Sequence, residues 1–315
     1  MTGPFAHVAR RLLWAVPTFW AIVTVTFFLL RLAPGGPFDG DRALHPQVEA
    51  SLRAAYELDR PLGEQYMRYV AQLLRGDLGP SLKYKDYTVT ELIAAAAPVS
   101  ALVGGLALLL ALVLGIWAGT RAAANPSGLA ARWLAPLSLV GVAVPSFVLA
   151  PVLALVLGVW AAWLPVGGWG DGGVRHVVLP VLTLSLPYAA TIARLTRSST
   201  EAVLRAPHVR TARAKGLPAA WVLDRHVVRP ALLPVVSYLG PAAASLLAGS
   251  VVVETLFGLP GLGRYFAQAA LNRDYTLVMG IVVLTGAAML TFNLVADLLY
   301  GLLDPRIGAA EARGG

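Results

Sequence analysis

The sequence predicts an all-α membrane protein with six transmembrane helices, cytoplasmic N and C termini, and a small helical extracytoplasmic insertion after the first helix. Three observations predict it. Of the 315 residues, 57% are hydrophobic and only 13% charged, and the mean hydropathy is +0.68, far from the balance of a soluble domain. Six uncharged runs, at residues 12–30, 92–120, 133–170, 177–193, 230–253 and 275–296, can each supply the roughly 17–25 apolar residues that carry a helix across a bilayer. The Lys and Arg residues of the short connections are concentrated on one side of the membrane, which fixes the orientation.

The first run has a long apolar core, and the text after it, "RLAPGGPF", offers no A-x-A cleavage site, so it reads as a retained anchor over residues 1–30. Residues 31–97 form the extracytoplasmic cap. Within it, Val48, Leu52 and Ala55 fall on one helical stripe and Tyr66, Tyr69, Val70 and Leu73 on another, so the segment reads as two short helices rather than a tether. The cap is either a docking surface for a partner or a cover over the span ends. Residues 98–315 are a five-helix transmembrane core. Its third run is too long for one span, but the tail "WLPVGGWG" suits an interfacial loop.

Six spans place both termini on one side. That side carries Arg10, Arg11, Arg121, Arg132, eight basic residues within 194–229, Arg306 and Arg313, whereas the opposite short loops carry only Arg175, Arg264 and Arg273. The basic side is therefore cytoplasmic; the cap is exempt because long segments translocate largely regardless of charge. The net charge of +8 is mostly this topology signal and calls for no nucleic acid. Absence of cysteine excludes disulfides and thiol chemistry.

The spans are nearly devoid of ionisable groups, which disfavours a proton-coupled secondary transporter or channel. Glu254 and Asp297, the nearest candidates, are read as lying at the headgroup level. The five histidines, at 7, 45, 176, 208 and 226, fall in loops or at span edges, away from any buried serine they could activate. No phosphate-binding loop of the G-x-x-x-x-G-K-[ST] type occurs, so the chain is read as having no ATPase site, no catalytic residue, and no cofactor or metal of its own. Thr183, Ser185, Tyr188, Ser245, Ser250 and Asn293 are the polar residues available to line a pathway; lone hydroxyls on membrane helices usually satisfy a carbonyl one turn back.

The loop 194–229 has more order than a topology signal requires. Pro207 suits the first turn of a helix, Gly216 the left-handed residue that ends one, and Pro218 blocks continuation. The result is a helix of about nine residues, "PHVRTARAK". Val209, Thr211, Ala212 and Ala214 give it a slim body fit for another protein's groove, and Arg210, Arg213 and Lys215 can pair with acidic or carbonyl groups at the rim. A second amphipathic piece, with Trp221, Asp224, Arg225 and Val228 at helical spacing, leads into span five. Between spans five and six, "GLPGLGR" is either an ordinary turn or backbone that dips toward a pathway.

The segment "RTARAKGLP" at residues 210–218, with Arg210-Thr211-Ala212, then Gly216 and the distant Pro230, resembles the cytoplasmic "EAA" signature of ABC-importer permeases, in the form found in the peptide and nickel branch. Pro230 lies one residue further from the glycine than the general pattern, and Ala206-Pro207-His208 replaces the acidic and aromatic residues often found upstream. The opening text, residues 76–89, residues 237–280 and the final "DPRIG" are similar to the first permease subunits of bacterial oligopeptide importers. The resemblance implies a type I ABC-importer permease in the bacterial cytoplasmic (inner) membrane. It implies a second homologous permease, two ATPase subunits that bind ATP and Mg, and an extracytoplasmic peptide-binding protein as partners. It implies an ATPase-coupling surface at Arg210, Thr211, Ala212, Arg213, Ala214, Lys215, Gly216, Leu217 and Pro218, and a gate loop at Gly258, Pro260, Gly261 and Gly263. Oligopeptides are the implied cargo, with dipeptides, nickel chelates or another small solute as the alternative, and a membrane scaffold or an ATP-independent transporter as the readings from other classes.

Overall fold

A computed structural model describes residues 4–38, 45–170 and 173–303. Helices α1 (Pro4–Leu32), α4 (Val89–Ala124), α7 (Val174–Leu204) and α13 (Tyr275–Leu303) are each long and apolar enough to cross a membrane unaided. Two further candidate spans are bent pairs. α5 (Leu129–Ala143) meets α6 (Ser146–Leu153), which continues as a π-helical turn over Ala154–Trp160, at 107°. The segment built from α9 (Ala219–Val222), a π-helical stretch Leu223–Val228 and α10 (Arg229–Ala231) meets α11 (Leu233–Phe257) at 47°. The described chain therefore holds four to six spans.

The 107° bend corrects the expectation of one continuous run, and its cause is local. Pro145 pushes the preceding residue out of the helical region, so Val144 takes ψ 115 and Pro145 itself ψ 147. α6 restarts with Pro145 as its N-cap residue.

The centre of the molecule is the α4–α7 pair. Val103, Ala107, Ala111, Gly115 and Gly119 recur every fourth residue on one stripe of α4, and all are buried. A methyl group added at Gly115 would sit 2.7 Å from Ile192 Cβ, and one at Gly119 would sit 2.7 Å from Thr196 Cβ, so the backbones are in near contact there. Lipid tails are as apolar as leucine and give no hydrophobic drive for helix pairing; close packing of small residues supplies it instead. α4 starts cleanly because Thr88 and Glu91 form a reciprocal capping box, Glu91 N to Thr88 Oγ1 at 3.2 Å and Thr88 N to Glu91 Oε2 at 2.8 Å.

The helices divide the molecule into two ends. One end holds the start of α1, the end of α13 and the basic loop; there Arg11 Nε pairs with Asp297 Oδ2 at 3.1 Å. The other end holds the cap helices α2 (Pro46–Ala55) and α3 (Leu62–Leu74) and the turns that bracket the short helix α12 (Leu262–Leu271). α3 seats as its stripe predicts: Tyr66, Tyr69 and Leu73 join Val23, Phe27, Phe28, Met279 and Val283 in one cluster. Tyr66 and Thr24 hydroxyls lie 2.7 Å apart, and Arg31 Nε donates to Gln65 Oε1 at 2.9 Å. Burial pushes the Tyr69 phenol up to about 12, against the opposing influence of Arg31. α2 differs: Val48 and Ala55 are exposed.

Candidate functional site

At the basic end, α8 spans Pro207–Ala214 with Pro207 in its first turn. Gly216 has φ +78, a left-handed conformation that glycine adopts without steric cost, and it ends the helix as the sequence predicts. The turn closes through Gly216 N to Arg213 O at 2.9 Å and Lys215 N to Thr211 O at 3.1 Å.

The orientation of α8 corrects part of the sequence reading. Val209 and Ala212 are buried against Val222 and Val227, with Val203, Leu204 and Leu217 packed around them, so this face is spent inside the chain. What faces outward is Pro207, Arg210, Thr211, Arg213, Ala214 and Lys215, a cationic surface over a small-residue floor. Its inner clamp joins the end of α7 to the segment that leads into α11. His208 Nε2 also lies 3.3 Å from the His226 carbonyl oxygen across the same clamp.

The amphipathic piece after α8 is misread by a 3.6-residue period. Trp221, Asp224 and Arg225 are exposed, whereas the buried pair is Val222 and Val227, five residues apart. A spacing of five matches the π-helical stretch between them, whose hydrogen bonds run i to i+5.

At the opposite end, the "GLPGLGR" segment is a tight, buried turn. Gly258 caps α11 with φ +67, and Leu259 and Gly261 have lost their solvent contact. Leu262 N donates to Ser100 Oγ of α4 at 2.8 Å, and Gly263 N donates to Glu254 Oε2 at 2.7 Å. The turn is thus pinned to two helices at once. Gly168 N reaches Phe257 O at 2.7 Å, so the loop after the bent span covers the same place. Glu254 lies on the last turn of α11 as expected, but it is fully shut off from solvent rather than hydrated, because Gly261 and Gly263 let the turn close over its carboxylate. Asp297 stays partly exposed beside Arg11.

The polar residues of the spans divide in two. Thr183 Oγ1 donates to Leu179 O at 2.8 Å, Ser185 Oγ to Leu182 O at 3.1 Å and Ser250 Oγ to Leu247 O at 2.9 Å, so these three satisfy their own helices. Tyr188 instead has Ser245 within hydrogen-bond reach and Tyr238 nearby, a partly buried polar group where α7 meets α11.

One cluster escaped the sequence reading. Asp274 is fully buried between α12 and α13 and accepts from Leu277 N at 3.1 Å, capping α13, from Thr276 Oγ1 at 3.0 Å and from Leu82 N at 3.2 Å. It also accepts from Ser81 Oγ. Thr276 Oγ1 also lies 2.8 Å from Pro80 O, so its one proton is shared between that carbonyl and the carboxylate. An Asp three residues before a leucine at the head of an apolar run is a helix-start signal that was present in "RDYTL"; its cross-chain partner nearly two hundred residues away was not readable.

Comparison with known proteins places these features. Residues 111–309 match the family described as binding-protein-dependent transport system inner membrane component. The chain is 48% identical over 303 residues to the oligopeptide transport system permease protein OppB of Salmonella typhimurium, covering 95% of this chain and 98% of that one. The OppB protein of Haemophilus influenzae is also 48% identical with the same coverage. The dipeptide transport system permease protein DppB of Bacillus subtilis is 38% identical, over 93% of this chain and 95% of its own. Among solved structures, an amino acid ABC transporter crystallised with histidines aligns at TM-score 0.51 and 18% identity, over 67% of this chain and 94% of that one, a likeness of fold.

Proposed function

The chain belongs to the binding-protein-dependent transport system inner membrane component family, and on that premise we propose that it is a transmembrane permease subunit of an ATP-binding-cassette importer that moves oligopeptides into the cytoplasm. The observation that carries the reading is α8: a short cationic helix whose outer face is free and whose inner face clamps the end of α7 to the entry of α11. A push on α8 is felt by both helices, because Val209 and Ala212 cannot move without Val203, Val222 and Val227. The relatives at 48% identity favour oligopeptides; the dipeptide relative at 38% supports the second reading, a smaller peptide.

Six spans with both termini in the cytoplasm follow if each bent pair crosses the bilayer once, and the basic end then faces the cytoplasm by its charge. The partners are a second homologous permease, two ATPase subunits and an extracytoplasmic peptide-binding protein. ATP with Mg, held by the ATPases, supplies the energy. This chain's part is mechanical: Arg210, Arg213 and Lys215 grip the ATPase rim, Gly216 ends the grip sharply, and Pro218 starts the segment that leads to α11. At the far end, Gly258, Pro260, Gly261 and Gly263 form a gate turn that shifts as α11 and α4 separate, since it is bonded to both. The exposed apolar side chains of α5 and α6, Leu137, Leu139, Phe147 and Val152 among them, suit lipid and the second permease.

Tagging the chain, solubilising it gently from native membranes and identifying what copurifies tests the assignment. The expected result is a second permease with two ATPases. Recovery of the chain alone, in a form that moves solute into vesicles without ATP, contradicts it.

A further inference from the structure

Residues 79–89, at the cap end, form a small closed loop. Pro80 and Thr88 pair in antiparallel fashion, Val89 N donates to Gly79 O at 3.0 Å and Ser81 N to Tyr87 O at 3.1 Å. Inside, the Ser81 hydroxyl accepts from Lys83 N at 3.2 Å and Tyr84 N at 2.9 Å while donating to the Asp274 carboxylate. Asp86 takes φ +64, a left-handed turn conformation that Asp adopts more readily than most residues. Its outward residues are Lys83, Lys85, Asp86 and Tyr87, and Tyr87 is 56% exposed. Neither lysine is in an ion pair among the described residues.

The base of this loop is tied to α12 itself and to the turn that follows it. Asp274, immediately before α13, holds Ser81 and Leu82 N; Gln268 Oε1 accepts from Tyr84 Oη at 2.9 Å, and the Tyr84 and Tyr265 rings meet edge to face at 5.7 Å. α12 is ten residues long, and its other end is the buried turn bonded to Ser100 and Glu254. A force on Tyr84 therefore reaches the turn along α12, and one on Ser81 enters α12 through the Asp274 N to Ala269 O bond at 2.8 Å.

We propose that the loop 79–89 is a contact surface for an acidic patch on the extracytoplasmic peptide-binding protein, and that the Ser81–Asp274 and Tyr84–Gln268 bonds carry that contact through α12 to the turn over Glu254. Two unpaired ammonium groups beside an exposed phenol, on a loop that loses little conformational freedom when bound, match carboxylates on a partner surface. The inference rests on the importer reading above.

The test uses the complete importer in lipid nanodiscs and follows ATP hydrolysis against binding-protein concentration. Lys83→Glu with Lys85→Glu should raise the half-saturating concentration roughly tenfold, less so at high salt, and leave the maximum rate unchanged. Ser81→Ala, which spares the bonds capping α13, should leave half-saturation near its normal value and lower the maximal stimulation several-fold, with basal hydrolysis intact. A half-saturating concentration within twofold of the unaltered importer in the double-lysine variant overturns the docking surface. So does an effect that disappears when anionic lipid is omitted, since the lysines then read headgroups. Full stimulation in Ser81→Ala overturns the transmission route. An unaltered importer that the binding protein does not stimulate contradicts the importer reading itself, whatever the variants do.

Discussion

Replacing Gly263 by alanine is the sharpest perturbation of the buried turn. The added methyl carbon would lie 2.9 Å from the Val251 backbone nitrogen and 3.0 Å from Glu254 Oε2, and closer still to Val251 Cα. The first and last of these belong to the α11 backbone, which cannot swing aside as a side chain can. The turn must lift. Overpacking of this kind costs about 1–3 kcal/mol. Lifting also stretches the Gly263 N to Glu254 Oε2 bond, a bond to a buried carboxylate worth roughly 1.5–3 kcal/mol. Glu254 Oε1 has no partner, but Ser100, Ser250 and the Arg264 backbone stay beside the carboxylate, so it loses one of several contacts. The total is about 2.5–6 kcal/mol. Thermal unfolding of the purified chain, followed by tryptophan fluorescence, should show a midpoint lowered by roughly 5–15 °C. Gly216→Ala is the control: its φ of +78 carries a left-handed cost of about 1–2 kcal/mol, but no atom lies within 4 Å of the added methyl. A Gly263→Ala midpoint within 1 °C of the unaltered chain, or a drop no larger than that of Gly216→Ala, refutes the reasoning.

At the α4–α7 seam, Gly119→Leu drives its side chain into Thr196 Cβ and the Arg197 backbone nitrogen, which already lie 2.7 and 3.0 Å from a methyl carbon there; the chain should fail to accumulate in membranes by immunoblot, while Gly104→Leu, with open space, should accumulate normally. In the cap, the raised Tyr69 pKa means the folded form resists ionisation. Its contribution to stability is whole below pH 10 and is lost as pH rises toward about 12, at most roughly 2–3 kcal/mol, and Tyr69→Phe should remove that alkaline dependence in a pH series of thermal melts.

Much of this was legible in the sequence, for physical reasons. Spans announce themselves because a helix in lipid needs some twenty apolar residues, and α8 announces itself because Pro207, Gly216 and Pro218 act locally on the backbone. The α3 stripe was readable because one side of an ordinary helix packs. What failed to show depends on distant partners or unusual geometry. Val222 and Val227 hide from a 3.6-residue search because they sit on a π-helical stretch. Glu254 reads as a solvated span end until Gly261 and Gly263 close over it, and Asp274 gives no sign in the sequence of Ser81, its partner 193 residues away. The Arg210, Thr211 and Arg213 face was legible in composition, but that Val209 and Ala212 are spent inward was not. The final "DPRIG" lies outside the described residues.

The account turns on α8 carrying work between an ATPase and the spans. The direct measurement is simultaneous ATP hydrolysis and labelled-peptide uptake by the complete importer in vesicles, with Arg210→Glu and Arg213→Glu introduced together. Both side chains are exposed, so membrane level and thermal midpoint should not change, whereas uptake should fall at least tenfold and each ATP hydrolysed should move correspondingly less peptide. Uptake and its ratio to hydrolysis equal to those of the unaltered importer would contradict the account and leave α8 as a charged loop that does no more than set topology.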